Sequence, residues 1–182
     1  MTTTENLPTL TTERMTLTQL CEHDLGDIVA MNAQPAVTRY LNGGKPIAAD
    51  ASEEWIAANV AWGWTGHLRT PDEHGSFVGF FATRPTSPNE RELGYRLPAH
   101  RWGSGFASEG SKAIVEHAFV SMHCERVWAQ TMTVNRGSRR VMEKTGLEFV
   151  GMLDLVFDEP IEGSEFGDVE YGITRDQWRL RL

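Results

Sequence analysis

The residues in this chain best suited to chemistry lie between Leu97 and Gly110, in the run Leu-Pro-Ala-His-Arg-Trp-Gly-Ser-Gly-Phe-Ala-Ser-Glu-Gly. Gly103 and Gly105 let the main chain come close to a ligand and adopt angles closed to other residues. A helix beginning just after them turns free N–H groups and the positive end of its dipole outward, which suits phosphate. A P-loop needs Gly-Lys-Ser/Thr after four intervening residues, and no such string exists. A dinucleotide fingerprint needs a third glycine three positions after Gly105, where Ser108 stands. An acyl-coenzyme A diphosphate site and a plain strand-to-helix turn both stay open on these residues alone. His67, His74, His117 and His123 form no i, i+4 pair, and Cys21 and Cys124 sit in no CxxC or CxxH, so no metal is expected.

The chain that must position this loop has 182 residues and a formal net charge of -8. That length fits one domain with its own core and no disulfides, here the whole span 1–182 with residues 1–8 flexible. Thr145 to Thr174 contains no Lys or Arg and eight acids: Glu148, Asp154, Asp158, Glu159, Glu162, Glu165, Asp168 and Glu170. Elsewhere acids and bases balance, so one segment carries the whole net charge. It reads either as a solvated acidic hairpin or as a negative rim that draws in a cationic partner. The acidic balance excludes a nucleic-acid binder that relies on phosphate contacts. No stretch approaches the ~20 apolar residues of a membrane span. The N-terminus has no basic, apolar leader, and two unspaced cysteines suit a reducing, cytoplasmic setting.

Periodicity predicts the elements around the loop. Leu10 to Leu20 reads as a first strand, through alternating Met15 and Leu17. A helix follows Asp24, its N-cap, and a second follows Asp50 or Ser52. Phe77–Thr83 reads as a buried strand, Pro85–Asn89 as a turn, and Arg91–Leu97 as an alternating strand with Leu93, Tyr95 and Leu97 on one face and Glu92, Gly94 and Arg96 on the other. Then come a helix from about Gly105 to Ser121, a strand over Arg126–Val134, a short helix over Asn135–Thr145 stopped by Gly146, and strands over about Phe149–Phe157 and Glu165–Ile173. A single mixed α/β or α+β domain follows.

Beyond the loop, several ordered motifs carry a family resemblance: Thr12-Glu13-Arg14-Met15, Glu92-Leu93-Gly94-Tyr95, Gly103 to Glu109, Asn135 with Ser138, Lys144-Thr145-Gly146-Leu147, and Tyr171 to Trp178. With them the chain resembles the GNAT superfamily of acetyl-CoA-dependent N-acetyltransferases over about Leu10 to Trp178, and within it the RimJ/RimL-type branch that acetylates protein N-termini. His100 departs from the Gln or Arg usual in the superfamily, and Leu147 from the usual Phe. Gly63–Gly75 and Asp154–Gly167 match nothing assignable.

The resemblance implies a mixed, mostly antiparallel sheet splayed between its fourth and fifth strands, with helices on both faces. The splay lies between the strand of Glu92–Leu97 and that of Arg126–Val134, and pantetheine lies in it like an added strand. Acetyl-CoA is then the co-substrate, held by Leu97, the loop Arg101, Trp102, Gly103, Ser104, Gly105, Phe106 and Ala107, and by Asn135, with Arg140 and Lys144 (and Arg139) near its phosphates. Glu92 is the base that takes a proton from the attacking amine, directly or through water. A main-chain N–H of the splayed strand serves the oxyanion. Ser138 stands where many members place a tyrosine, and hydrogen-bonds the leaving thiolate. Against these roles stand plain ones: Glu92 paired with Arg96, and Ser138 satisfying a helix N-terminus. Trp62 and Trp64 are offered as walls of the acceptor pocket or as core, and Asp158 and Glu159 as acceptor-side acids. The expected reaction moves acetyl to a primary amine, a small molecule or a peptide N-terminus, by direct attack in a ternary complex, with no nucleic-acid or membrane partner and a monomer or homodimer. The alternatives are a GNAT-like module that senses acyl-CoA or a small amine without turnover and, more remotely, a nicotinamide oxidoreductase.

Overall fold

The structure is a computed structural model that describes residues 6–153 and 160–181. Its strands are β1 (Leu10–Thr11), β2 (Met15–Gln19), β3 (Gly63–Leu68), β4 (Phe77–Ser87), β5 (Glu90–Arg96), β6 (Arg126–Met132), β7 (Glu148–Leu153) and β8 (Asp168–Thr174). Its helices are α1 (Leu25–Asn32), α2 (Pro35–Thr38), α3 (Ala49–Asn59), α4 (Phe106–Val120), α5 (Arg136–Thr145) and α6 (Arg175–Arg179). The strands form one sheet in the order β1-β2-β3-β4-β5-β6-β8-β7. Every neighbouring pair is antiparallel except β5 and β6, which run parallel.

Side chains alternate across a strand, so Phe81 and its neighbours Phe80 and Ala82 face opposite sides of β4. Phe81 belongs to a large core with Met15, Trp64, Leu93, Leu97, Ile114 and Ala118, covered by α4. Phe80 and Ala82 belong to a second core with Leu20, Ile28, Met31 and Ile56, covered by α1 and α3. Helices therefore lie on both faces, as expected. Gly110 sets how closely α4 approaches: a Cβ there would lie 2.4 Å from the Phe81 ring.

The β5–β6 ladder is short. It pairs Glu90, Arg91 and Glu92 with Arg126, Val127 and Trp128, then stops. Both strands continue, β5 to Arg96 and β6 to Met132, so they diverge beyond Glu92. The expected splay lies between these two strands, which are the fifth and sixth in order and not the fourth and fifth, because Leu10–Thr11 forms a separate short strand paired antiparallel to β2.

Several local expectations need correction. β3 is a full strand inside Gly63–Gly75, a stretch left unassigned from sequence. Five of its six residues are buried, so it shows no alternation, and Gly63 and Gly66 make room for the Phe80 and Phe81 rings. Pro85 to Ser87 extend β4 instead of turning, and the reversal falls at Pro88-Asn89. Asp24 occupies the N-cap position of α1 as expected but makes no side-chain capping bond there; its carboxylate accepts from the Cys21 N–H at 2.9 Å and the Thr65 hydroxyl at 3.1 Å. Leu7 and Pro8, expected to be loose, are anchored: the Leu7 N–H donates to Gln19 Oε1 at 3.1 Å and the Pro8 carbonyl accepts from Trp64 Nε1 at 2.9 Å.

Candidate active site

The glycine loop joins β5 to α4. Gly103 (φ +75) and Gly105 (φ +86) both occupy the left-handed region, and Gly105 is the N-cap of α4. A Cβ on Gly103 would meet nothing within 4 Å, so glycine is needed there for its angle and leaves open space above the chain. Among the described residues, no acceptor takes the amides of Gly103, Ser104, Gly105, Phe106 or Ala107. Five free N–H groups at the start of a four-turn helix fit an anionic diphosphate. The expectation for the two preceding residues is corrected: the Arg101 and Trp102 amides donate to the Pro98 and Ala99 carbonyls at 2.9 and 3.1 Å. The Arg101 guanidinium is also engaged, with Glu73 at 3.1 Å and the Phe77 carbonyl at 3.3 Å. The Leu97 carbonyl accepts from Trp102 Nε1 at 2.8 Å, which folds the exposed indole back along the loop.

The loop is clamped by the residues of the Thr-Glu-Arg-Met motif, a role not apparent from sequence. Glu109, in the first turn of α4, accepts from the Thr12 hydroxyl at 2.6 Å, the Arg14 N–H at 2.8 Å and Arg14 Nε at 2.7 Å. Arg14 Nη1 reaches on to the Ser104 carbonyl at 3.0 Å, and its guanidinium lies 4.3 Å over the Phe106 ring. Burial alone would push the Glu109 carboxyl up; the bonds from Thr12 and Arg14 outweigh it and hold the group below the usual carboxylate range.

The splay starts at Glu92, the last β5 residue paired to β6. Glu92 shares its face with Gly94 and Arg96, and it is ion-paired with Arg84 opposite it on β4, not with Arg96. A Cβ on Gly94 would meet nothing within 4 Å, so the floor beside Glu92 is open. On the other face, Tyr95 packs against the larger core and its hydroxyl spans the splay to α5, 2.9 Å from the Ser138 carbonyl and 2.8 Å from Ser138 Oγ. Burial pushes the Tyr95 phenol well above its ordinary value, so it stays protonated. Asn135 is the N-cap of α5: its Oδ1 accepts from the Ser138 N–H at 3.1 Å and its Nδ2 donates to Thr131 Oγ1 at 3.0 Å. Sequence reasoning placed Ser138 at the site but missed Tyr95, because a tyrosine in the apolar phase of an alternating strand reads as core.

The acceptor-side expectations fare less well. Trp64 is fully buried in the larger core, so it walls no pocket. Trp62 packs against the smaller core and its Nε1 donates to Asn59 Oδ1 at 3.3 Å. Asp158 and Glu159, with Asp154, lie outside the described residues. The described acids of that stretch are mostly engaged: Glu148 with Arg181, Glu162 with Arg39, Glu170 with Arg126, and Glu165 with the Gly163 N–H. Asp168 is buried, and burial raises its pKa. Among the described residues, this segment presents no free negative rim. On α5, Arg139 is bound to the Tyr171 hydroxyl at 3.2 Å and the Thr133 carbonyl at 3.1 Å, whereas Arg140 and Lys144 are exposed. Among the described residues no three His, Cys, Asp or Glu side chains cluster as for a metal, and no helix is long and apolar enough to cross a membrane.

A sheet that splays beside a glycine loop capping a helix offers an open strand edge to an extended ligand and free amides to its anionic end. Residues 14–148 match the family model described as an acetyltransferase (GNAT) domain, and the chain belongs to that family. It is similar to the FsC-acetyl coenzyme A-N(2)-transacetylase of Aspergillus fumigatus, 33% identical over 192 residues that cover 96% of this chain and 79% of that protein. Among solved structures it resembles a GNAT-family acetyltransferase from Bacillus anthracis (TM-score 0.79, 20% identity, covering 93% of this chain and 99% of the other). It also resembles spermidine N-acetyltransferase from Vibrio cholerae, solved with CoA and spermine (TM-score 0.74, 16% identity, covering 91% and 98%). The protein is an acyl-CoA-dependent N-acetyltransferase with acetyl-CoA as its co-substrate, and it transfers acetyl to an amine.

Proposed function

We propose that this enzyme acetylates a small-molecule primary amine by direct attack in a ternary complex, with Glu92 as base and Ser138 at the departing sulfur. The observation that carries this is the splay beginning immediately past Glu92, with the Tyr95–Ser138 bridge across it. The acetyl-CoA diphosphate rests on the free amides of Gly103 to Ala107, and the pantetheine runs in the gap toward Glu92. The amine nitrogen attacks the thioester carbonyl carbon as Glu92 takes one of its protons through water. Beyond Glu92 the edge of β5 has no partner strand, so its N–H groups are available to the oxyanion. As the C–S bond breaks, the thiolate accepts a hydrogen bond from the Ser138 hydroxyl. Tyr95 has one proton to share between the Ser138 carbonyl and Oγ; when it is given to Oγ, the serine proton is free for the sulfur. Arg140 and Lys144, exposed on α5, supply cations toward the coenzyme's phosphates.

A small acceptor is favoured over a protein N-terminus by proteins to which this chain is similar. The 33%-identical relative named as an N(2)-transacetylase supports the same reading, as does the neighbour solved with spermine. The test is CoA release across a panel of small amines and short peptides, with wild type and Glu92→Gln. A positioned base contributes roughly 10²–10⁴-fold. Glu92→Gln should lower kcat at least about 100-fold at neutral pH while the KM for acetyl-CoA stays within about twofold. Turnover retained within a few-fold refutes Glu92 as the base, and peptides outperforming every small amine refutes the acceptor class.

A further inference from the structure

Arg96 is a half-buried cation with no carboxylate beside it among the described residues. Four other half-buried arginines have one: Arg14 has Glu109, Arg101 has Glu73, Arg126 has Glu90 and Glu170, and Arg175 has Glu125; Arg91 and Arg139 have none but donate to main-chain carbonyls, of Thr83 at 3.0 Å and Thr133 at 3.1 Å. Arg96 has only neutral company. Its Nη1 donates to Asn32 Oδ1 at 2.5 Å, and its guanidinium lies 5.2 Å from the centre of the Trp55 ring. Asn32 is itself fully buried, and its amide donates to Ser52 Oγ at 3.3 Å, which fixes the oxygen toward Arg96. Burial pushes Arg96 down to about 10, so it is still charged at neutral pH. Removing a guanidinium from water without a counter-charge is unfavourable, and a local rule broken in this way is expected at functional sites.

Position gives the ligand. Arg96 and Glu92 share one face of β5, with the open floor over Gly94 between them. Four residues of strand separate their Cα atoms by about 13 Å, which sets the length of the open floor between them. A molecule whose amine reaches Glu92 can therefore set an anion on Arg96. A guanidinium matches a carboxylate through two parallel N–H donors, and Arg96 has donors beyond the one given to Asn32.

We propose that Arg96 receives a carboxylate carried by the acceptor, so the acceptor is a zwitterionic amine of amino-acid type. This rests on the reading above that places the amine beside Glu92.

The experiment compares kcat/KM for glycine, β-alanine, L-ornithine and L-lysine with that for their carboxamides, with spermidine as an amine that carries no anion, at saturating acetyl-CoA. The carboxamides carry the less basic α-amines, so intrinsic reactivity favours them. The expected result is at least a tenfold preference for one or more acids over the matching carboxamide. In Arg96→Gln the KM for that acid should rise at least tenfold, the acid-over-amide preference should fall toward one, and the KM for acetyl-CoA should stay within twofold. Arg96→Lys should recover part of the preference. Carboxamides or spermidine turned over as well as the acids by wild type overturns the proposal and leaves the transferase reading standing, and this comparison needs no variant to fold. An acid preference that survives Arg96→Gln also overturns it. CoA release with no amine of any kind removes the reading on which it rests.

Discussion

Tyr95→Phe isolates one hydroxyl that ties the two arms of the splay together. The ring stays, so the apolar contact with the larger core is kept; what goes is the bond to the Ser138 carbonyl at 2.9 Å and to Ser138 Oγ at 2.8 Å. A hydrogen bond of this kind is worth about 0.5–1.5 kcal/mol net, and the half-buried partners left behind push the effect to the upper end. A loss of about 1–2 kcal/mol is expected, which in a domain of this length lowers Tm by roughly 2–8 °C. The larger consequence is catalytic, because Ser138 Oγ loses the partner that orients it toward the sulfur. Each tenfold in rate corresponds to about 1.4 kcal/mol of transition-state stabilisation, so kcat should fall about tenfold while the KM for acetyl-CoA changes little. Ser138→Ala should cost a similar factor, and the double variant should be no worse than the poorer single one, because both act through the same contact. The assay is steady-state CoA release with thermal melts of the four proteins. Additive kcat losses, or a Tyr95→Phe enzyme with wild-type kcat, would refute the bridge as part of the chemistry.

Two further outcomes follow from the clamp and the core. Glu109 is held below the usual carboxylate range when folded, so the stability it adds is complete above that range and disappears as pH falls through its lowered value; the Tm gap between wild type and Glu109→Gln should be widest near pH 7 and close toward pH 3, and a constant gap contradicts the clamp. Gly110→Ala would place a methyl 2.4 Å from the fully buried Phe81 ring, so overpacking of about 1–3 kcal/mol is expected in a denaturant melt, and an unchanged midpoint would show that α4 can lift off the sheet freely.

Much of the site was legible because it is written in main-chain geometry. Glycines at 103 and 105 between an alternating strand and a helix announce a turn with free amides, and Gly103 to Ala107 have them. Glu92 was legible from alternation, which separates it from Leu93 and Tyr95. What escaped depends on distant contacts. β3 carries no period because it is covered on both faces, so Trp64 looked available when it is core. Arg14 and Glu109 are 95 residues apart, and nothing local says that one holds the other. Tyr95 was hidden by its apolar ring, and Arg96 looked like the surface partner of Glu92 until Arg84, brought opposite by the β4–β5 register, took that place. In the acidic stretch a count of residues does not show that Glu148, Glu162 and Glu170 fold back onto arginines.

The central claim is that the main-chain amides from Gly103 to Ala107 hold the diphosphate of acetyl-CoA. Isothermal titration of the purified protein with CoA and, separately, with pantetheine, which has the same thiol arm and no diphosphate, tests it most directly. The account predicts saturable CoA binding and an affinity for pantetheine at least about 100-fold weaker, equivalent to about 2.7 kcal/mol. Equal binding of the two, or no binding of CoA, would contradict it.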